Sequence, residues 1–128
     1  MKSQKIILLL FILIAGKITT AQTLEGTWKG TSLCQIKNSS CHDEIVVYHI
    51  SKDSSGKSYQ VVANKIVNGK EEYMGTLPFI YDDQQKKFVS VDSVRNVRWE
   101  FKLTGNEMKG TLTYKGDLYR IIDIKKEK

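Results

Sequence analysis

The chain has 128 residues, 41% hydrophobic and 27% charged, with one proline, nine glycines and two cysteines. That profile excludes collagen, low-complexity disorder and a disulfide-dense toxin scaffold. The length suits one domain, because chains divide only near about 250–300 residues. Lys2, Lys5 and Lys17 inflate the formal charge of +6: from Gln22 onward seventeen basic residues face fourteen acidic ones, leaving +3.

The first element is a leader. Lys2 and Lys5 open it, Ile6–Ala15 is an unbroken apolar run of ten, and Thr19-Thr20-Ala21 precedes Gln22. A basic start, a short apolar stretch and a small-x-Ala ending make residues 1–21 a secretory signal peptide, cleaved before Gln22. Ten apolar residues are too few for a membrane anchor, which needs about 20. No cysteine stands at the cleavage point to carry a lipid. The expectation is a secreted or periplasmic domain, residues 22–128, with no membrane span once the leader is removed.

Export changes the meaning of Cys34 and Cys41. In an oxidising compartment a disulfide is the leading reading, and closing so short a loop contributes about 2.5 kcal/mol in the chain-entropy picture. His42, Asp43 and Glu44 follow at once, but six residues between the cysteines and only two histidines in the chain do not make a zinc pattern. No metal is expected.

After Gln22, short apolar runs alternate with turn signals. Strands are predicted at Leu24–Thr31, Glu44–Ser51, Ser58–Val67, Glu71–Tyr81, Lys87–Asp92, Val97–Thr104, Met108–Lys115 and Leu118–Lys125. Asn68-Gly69 and Gly105-Asn106 suit two-residue hairpins, whose backbone needs positive φ. In Val97–Thr104 the odd positions Val97, Trp99, Phe101 and Leu103 are apolar and the even ones polar, the mark of a half-buried strand. Tyr73, Gly75, Leu77, Phe79 and Tyr81 form a second such row; Met108, Gly110, Leu112 and Tyr114 a third; Leu24, Gly26, Trp28 and Gly30 a fourth. Glycines on apolar rows imply tight bends or close backbone approach, and Pro78 hints at an edge or a bulge. In Glu44–Ser51 both faces are apolar, so its orientation stays open. Eight strands with short antiparallel links predict an all-β barrel or sandwich.

Gly26-Thr27-Trp28 on the first strand, the eight-strand meander and Arg120 on the last strand together resemble the lipocalin and calycin family. The resemblance implies an eight-stranded antiparallel up-and-down barrel in which Trp28 closes one end and Arg120 packs across it. The chain from Gln22 is short for that family, with no C-terminal helix and no Thr-Asp-Tyr loop. The avidin type also opens on Gly-Thr-Trp, but its biotin-holding polar set is not matched. On the residues alone, Arg120 shares a row with Leu118, Ile122 and Ile124 and needs a partner: a ligand anion, a carboxylate such as Glu25, or an aromatic face. The opposite orientation of the strand would expose Arg120 and bury Tyr119 and Ile121.

No catalytic constellation is legible. His49 reads as a satisfied or surface histidine, Glu71-Glu72 point to opposite faces, Asp82-Asp83 is a turn, and Gly-x-Ser-x-Gly is absent. The small charge excess, spread along the chain, argues against nucleic acid. The expectation is therefore a monomeric, non-catalytic binding protein without cofactor. Its ligand would be an apolar or amphipathic small molecule held in an interior lined by Tyr59, Tyr73, Phe79, Trp99, Phe101, Met108 and Tyr114. The alternative is a protein-interaction module or inhibitor acting through its loops, above all Cys34–Cys41. An eight-stranded barrel is only just wide enough for its own side chains, so a filled interior favours the second reading.

Overall fold

A computed structural model describes residues 23–128; the predicted leader and its cleavage site lie outside the described residues. Eight strands run β1 Gly26–Cys34, β2 Glu44–Lys52, β3 Ser58–Val67, β4 Lys70–Asp82, β5 Lys87–Asp92, β6 Val97–Thr104, β7 Glu107–Tyr114 and β8 Asp117–Lys126. Each pairs antiparallel with the next, and β8 returns to β1, closing the barrel. No described helix is long and apolar enough to cross a membrane.

The turns form where the sequence supplies residues that tolerate a left-handed backbone. Asn68 and Gly69 have φ of 52° and 77°, and Lys115 and Gly116 have 50° and 83°. Two consecutive positive φ values match the right-handed twist of the flanking strands. Gly30 and Gly110 serve closure instead. A Cβ on Gly30 would meet the Asp123 carbonyl oxygen of β8, and one on Gly110 would meet Glu100 O and the Phe101 ring. Both glycines let neighbouring backbone or side chains approach more closely than any other residue allows.

The inner rows carry Trp28, Val46, Tyr48, Ile50, Val61, Phe79, Phe88, Phe101, Met108, Ile122 and Ile124, all buried in one core. Phe79 stacks on Phe88 with ring centroids 4.4 Å apart, and Tyr48 meets Phe101 edge-on at 6.3 Å. Inward Val46, Tyr48 and Ile50 settle the orientation of β2. Val47, on its outer row between Lys29 and Asn64, is buried as well, which accounts for the two apolar faces in the sequence.

Two bulges redirect side chains. On β4, Ala63 pairs with Gly75 but Asn64 pairs with Tyr73, so Met74 is an extra residue. On β8, Leu112 pairs with Arg120 but Thr113 with Leu118, so Tyr119 is extra. One extra residue reverses the inside-outside phase of everything beyond it. The seam between β4 and β5 is short, with pairs only at Ile80–Val89, Tyr81–Phe88 and Asp82–Lys87. Pro78 lies just beyond it, where β4 has no partner on that side, an edge position that tolerates a proline.

Candidate functional site

The barrel has two unlike ends. At one, Leu24 is buried beneath the strands and its carbonyl accepts a 2.9 Å hydrogen bond from Trp28 Nε1. Lys126 Nζ donates to the carbonyl and hydroxyl of Thr23 at 2.7 and 3.0 Å. Thr23 and Leu24, just before β1, plug this end. Trp28 is 1% exposed.

The other end gathers the Cys34–Cys41 loop and the turns β3–β4, β5–β6 and β7–β8. Cys34 and Cys41 form a disulfide with Cα atoms 5.9 Å apart, within the usual reach. The residue after each cysteine is tied to β8. Gln35 N donates to Tyr119 O at 2.9 Å, and His42 O accepts from Arg120 Nη1 at 3.0 Å. Arg120 Nη1 also reaches Ser32 O and Oγ at 3.2 and 3.3 Å, and Nη2 lies 3.4 Å from Glu44 Oε1. Its Cζ sits 5.7 Å from the centre of the Tyr119 ring. A guanidinium offers five planar donors and a charge that attracts an aromatic ring, and this one uses both.

That arrangement corrects the expected Arg120–Trp28 stack. On the β1–β8 ladder Trp28 pairs with Lys126 and Cys34 with Arg120. Arg120 therefore lies six residues up the ladder, roughly 20 Å from Trp28 at the rise of an antiparallel strand. Its carboxylate is Glu44, not Glu25, which instead accepts from Lys52 N at 2.9 Å. The bulge at Tyr119 also removes Leu118 from Arg120's row: Leu118 and Ile121 are each 43% exposed.

Beside Tyr119, the mouth holds an apolar recess of about 230 Å3 lined by Val97, Leu112, Tyr114 and Tyr119. A hydrogen bond of 2.8 Å from Lys115 N to Asn96 O joins the two turns above it. Beneath lies a polar layer of Ser32, Glu44, Tyr48 and Arg120. Burial pushes the Tyr48 hydroxyl well above the usual tyrosine range, the charge of Glu44 pushing the same way and Arg120 opposing it. Tyr48 therefore stays neutral at any ordinary pH. On the outer wall at this end, Leu33 pairs with Ile121, and Thr31 pairs with Ile45. Exposed Leu33, Ile45, Leu118 and Ile121 thus form an apolar surface next to the disulfide loop.

The seven expected interior residues divide. Phe79, Phe101 and Met108 are buried in the core, and Tyr59 and Trp99 are half-buried against it. Phe101, Met108 and Trp99 pack the barrel, whereas Phe79 and Tyr59 also border openings beside β4. Tyr73 is 65% exposed, because the Met74 bulge turns it outward, where its hydroxyl meets Thr76 Oγ1 at 2.8 Å. Tyr114 stands on an inward row but is the last residue of β7, so it forms the rim. Sequence reasoning missed Tyr48 and Phe88 as core and Tyr119 as a recess wall. Nothing in a single sequence marks an extra residue in a strand.

A larger cleft of about 590 Å3 opens along the β4–β5 seam, where outward Pro78, Ile80, Val89 and Val91 mix with Asp82 and Lys87 and the buried Phe79 and Ser90 form its floor. Elsewhere on the outside, His49 Nε2 lies 2.6 Å from Glu71 Oε1 and Nδ1 lies 3.2 Å from Thr27 Oγ1. The carboxylate accepts from Nε2–H, and the threonine hydroxyl pairs with Nδ1 on the other side of the ring. Asn64 Nδ2 donates to the same Glu71 oxygen at 3.1 Å. Hydrogen bonds from Asn64 and then His49 hold the Glu71 carboxyl below its ordinary range. The chain of contacts links β1 to β4 across two intervening strands.

A scan against known protein families finds no match, and a search of curated proteins likewise finds none.

Proposed function

We propose that this chain is an exported, calycin-like binding module that works through its disulfide-pinned end and performs no chemistry of its own. The observation that carries this reading is the division of the barrel's inside. Aromatic and aliphatic side chains fill it, and the apolar space at the pinned end is a recess of about 230 Å3. Drug-sized ligands occupy pockets of about 300–1,000 Å3; the recess falls below that range and suits an apolar side chain, while the cleft of about 590 Å3 lies at the β4–β5 seam, not at the pinned end. The partner is a protein that inserts an aromatic or branched aliphatic residue between Val97, Leu112, Tyr114 and Tyr119. Around this anchor the exposed Leu33, Ile45, Leu118 and Ile121 supply contact area, and the closed loop lowers the ordering cost of binding.

Panning a displayed random-peptide library against the exported protein tests this. Enriched peptides should share an aromatic or branched aliphatic residue and lose binding to the Tyr114→Ala and Val97→Asp variants. Peptides that bind those variants as well as the parent protein would remove the recess from the account. Native mass spectrometry showing an apolar small molecule in freshly isolated protein would return the reading to a carrier with an interior ligand.

A further inference from the structure

The residues that follow the two cysteines grip neighbouring residues of β8: Gln35 holds the carbonyl of Tyr119, and His42 is held by the guanidinium of Arg120. Tyr119 is the extra residue of the bulge, so its backbone lacks a regular ladder partner on β7. Its ring has the Arg120 guanidinium on one side and forms a wall of the recess. The position of that wall therefore depends on contacts made by both ends of the disulfide loop.

We propose that the Cys34–Cys41 disulfide gates the recess, with Arg120 as the positioning residue between them; the proposal rests on the recess being the binding site. The gating step is thiol–disulfide exchange with a dithiol reductant. One reductant thiolate attacks a cysteine sulfur and breaks the S–S bond, and its second thiolate then resolves the mixed disulfide. Two cysteine thiols and one oxidised dithiol result, with two electrons and two protons passing to the protein. In the oxidised protein the short covalent loop holds His42 O against Arg120. Reduction leaves Gln35 anchored at the end of β1 and leaves the hydrogen bond from Cys34 N to Asp43 Oδ1, at 2.8 Å, as the remaining tie across the loop, so the Cys41–His42 side loosens. Arg120 then holds one acceptor less firmly, and the face that supports Tyr119 shifts. Ser32 and Glu44 still hold the guanidinium, so the barrel stays folded while the recess loses its shape. A bulge is suited to this, because its extra residue moves without breaking the rest of the ladder.

The test is an NMR titration of the exported protein with p-cresol, a mimic of a tyrosine side chain, before and after treatment with dithiothreitol. The Trp28 indole N–H resonance, at the far end, reports that the fold survives. Reduction should weaken p-cresol binding about fivefold or more, the lower range of measured couplings between sites, and should shift the Tyr119 ring resonances. The Cys34→Ser/Cys41→Ser variant should behave as the reduced protein does. Arg120→Lys should bind weakly in both redox states, since an ammonium offers neither the planar face nor the fork of donors. Equal affinity and unmoved Tyr119 resonances in both states would overturn the gate while leaving the recess a binding site. Absence of binding in both states would overturn the recess reading, and the Tyr119 resonances would then decide the coupling alone: if unmoved, the gate is refuted.

Discussion

The two ends of the barrel are built from the same eight strands and use a cation differently. At the plugged end, Lys126 ties down Thr23 while Trp28 and Leu24 complete the packing. At the pinned end, Arg120 holds a loop carbonyl, a β1 backbone oxygen and a carboxylate, and supports Tyr119. The first end is finished by Thr23 and Leu24, just before β1, so its apolar surface is spent on stability. The second is finished by polar contacts, and apolar surface is left over as the recess and the Leu33–Ile121 patch. On the proposed function, the barrel keeps one end for folding and the other for a partner.

The sharpest way to break this contrast is Trp28→Ala, which should cost about 3–5 kcal/mol in chemical denaturation by leaving a large void, yet leave peptide binding intact under conditions where the variant is folded. Next, Arg120→Ala should cost about 3 kcal/mol, because Glu44 loses its partner inside a half-buried layer; unlike Trp28→Ala, it should also abolish peptide binding. Removing the disulfide with Cys34→Ser/Cys41→Ser should lower stability by about 2.5 kcal/mol, the entropy of closing a short loop. A smaller loss would mean that Arg120 and Gln35 hold the loop without it. Tyr114→Ala should change stability by less than about 1 kcal/mol while weakening binding, so equal losses of both would show that the rim also belongs to the core.

The mildest effect is on pH. Hydrogen bonds depress the carboxyls of Asp53, Glu71 and Glu100: from Ser55 and Ser58, from Asn64 and His49, and from Lys87 and Arg98, respectively. A depressed carboxyl stabilises the fold above its unfolded pKa, and that contribution is lost as pH falls through the folded value. Melting temperature should therefore hold near neutrality and decline below about pH 4.5. Glu71→Gln should flatten part of that decline without altering peptide binding, since its contacts lie on the outer wall away from the recess.

The eight strands were legible because each is a local alternation ended by residues that tolerate a turn. Ser58–Val67, Lys87–Asp92 and Val97–Thr104 fall where the pattern predicts, and the remaining five differ at their ends by at most three residues. The disulfide was legible too, from two cysteines at a spacing that a short loop can close. The pinned end was not. Arg120 was recognised as a charge needing a partner, but its partners Ser32, His42 and Glu44 are more than seventy positions away. Strand register brings them together, and the bulges at Met74 and Tyr119 decide which residues face in. Alternation is a property of one strand and can be read from its own residues. An extra residue shows only against the neighbouring strand, so the exposure of Tyr73 and the placement of Tyr119 in the recess wall were decided by pairing across the closed barrel.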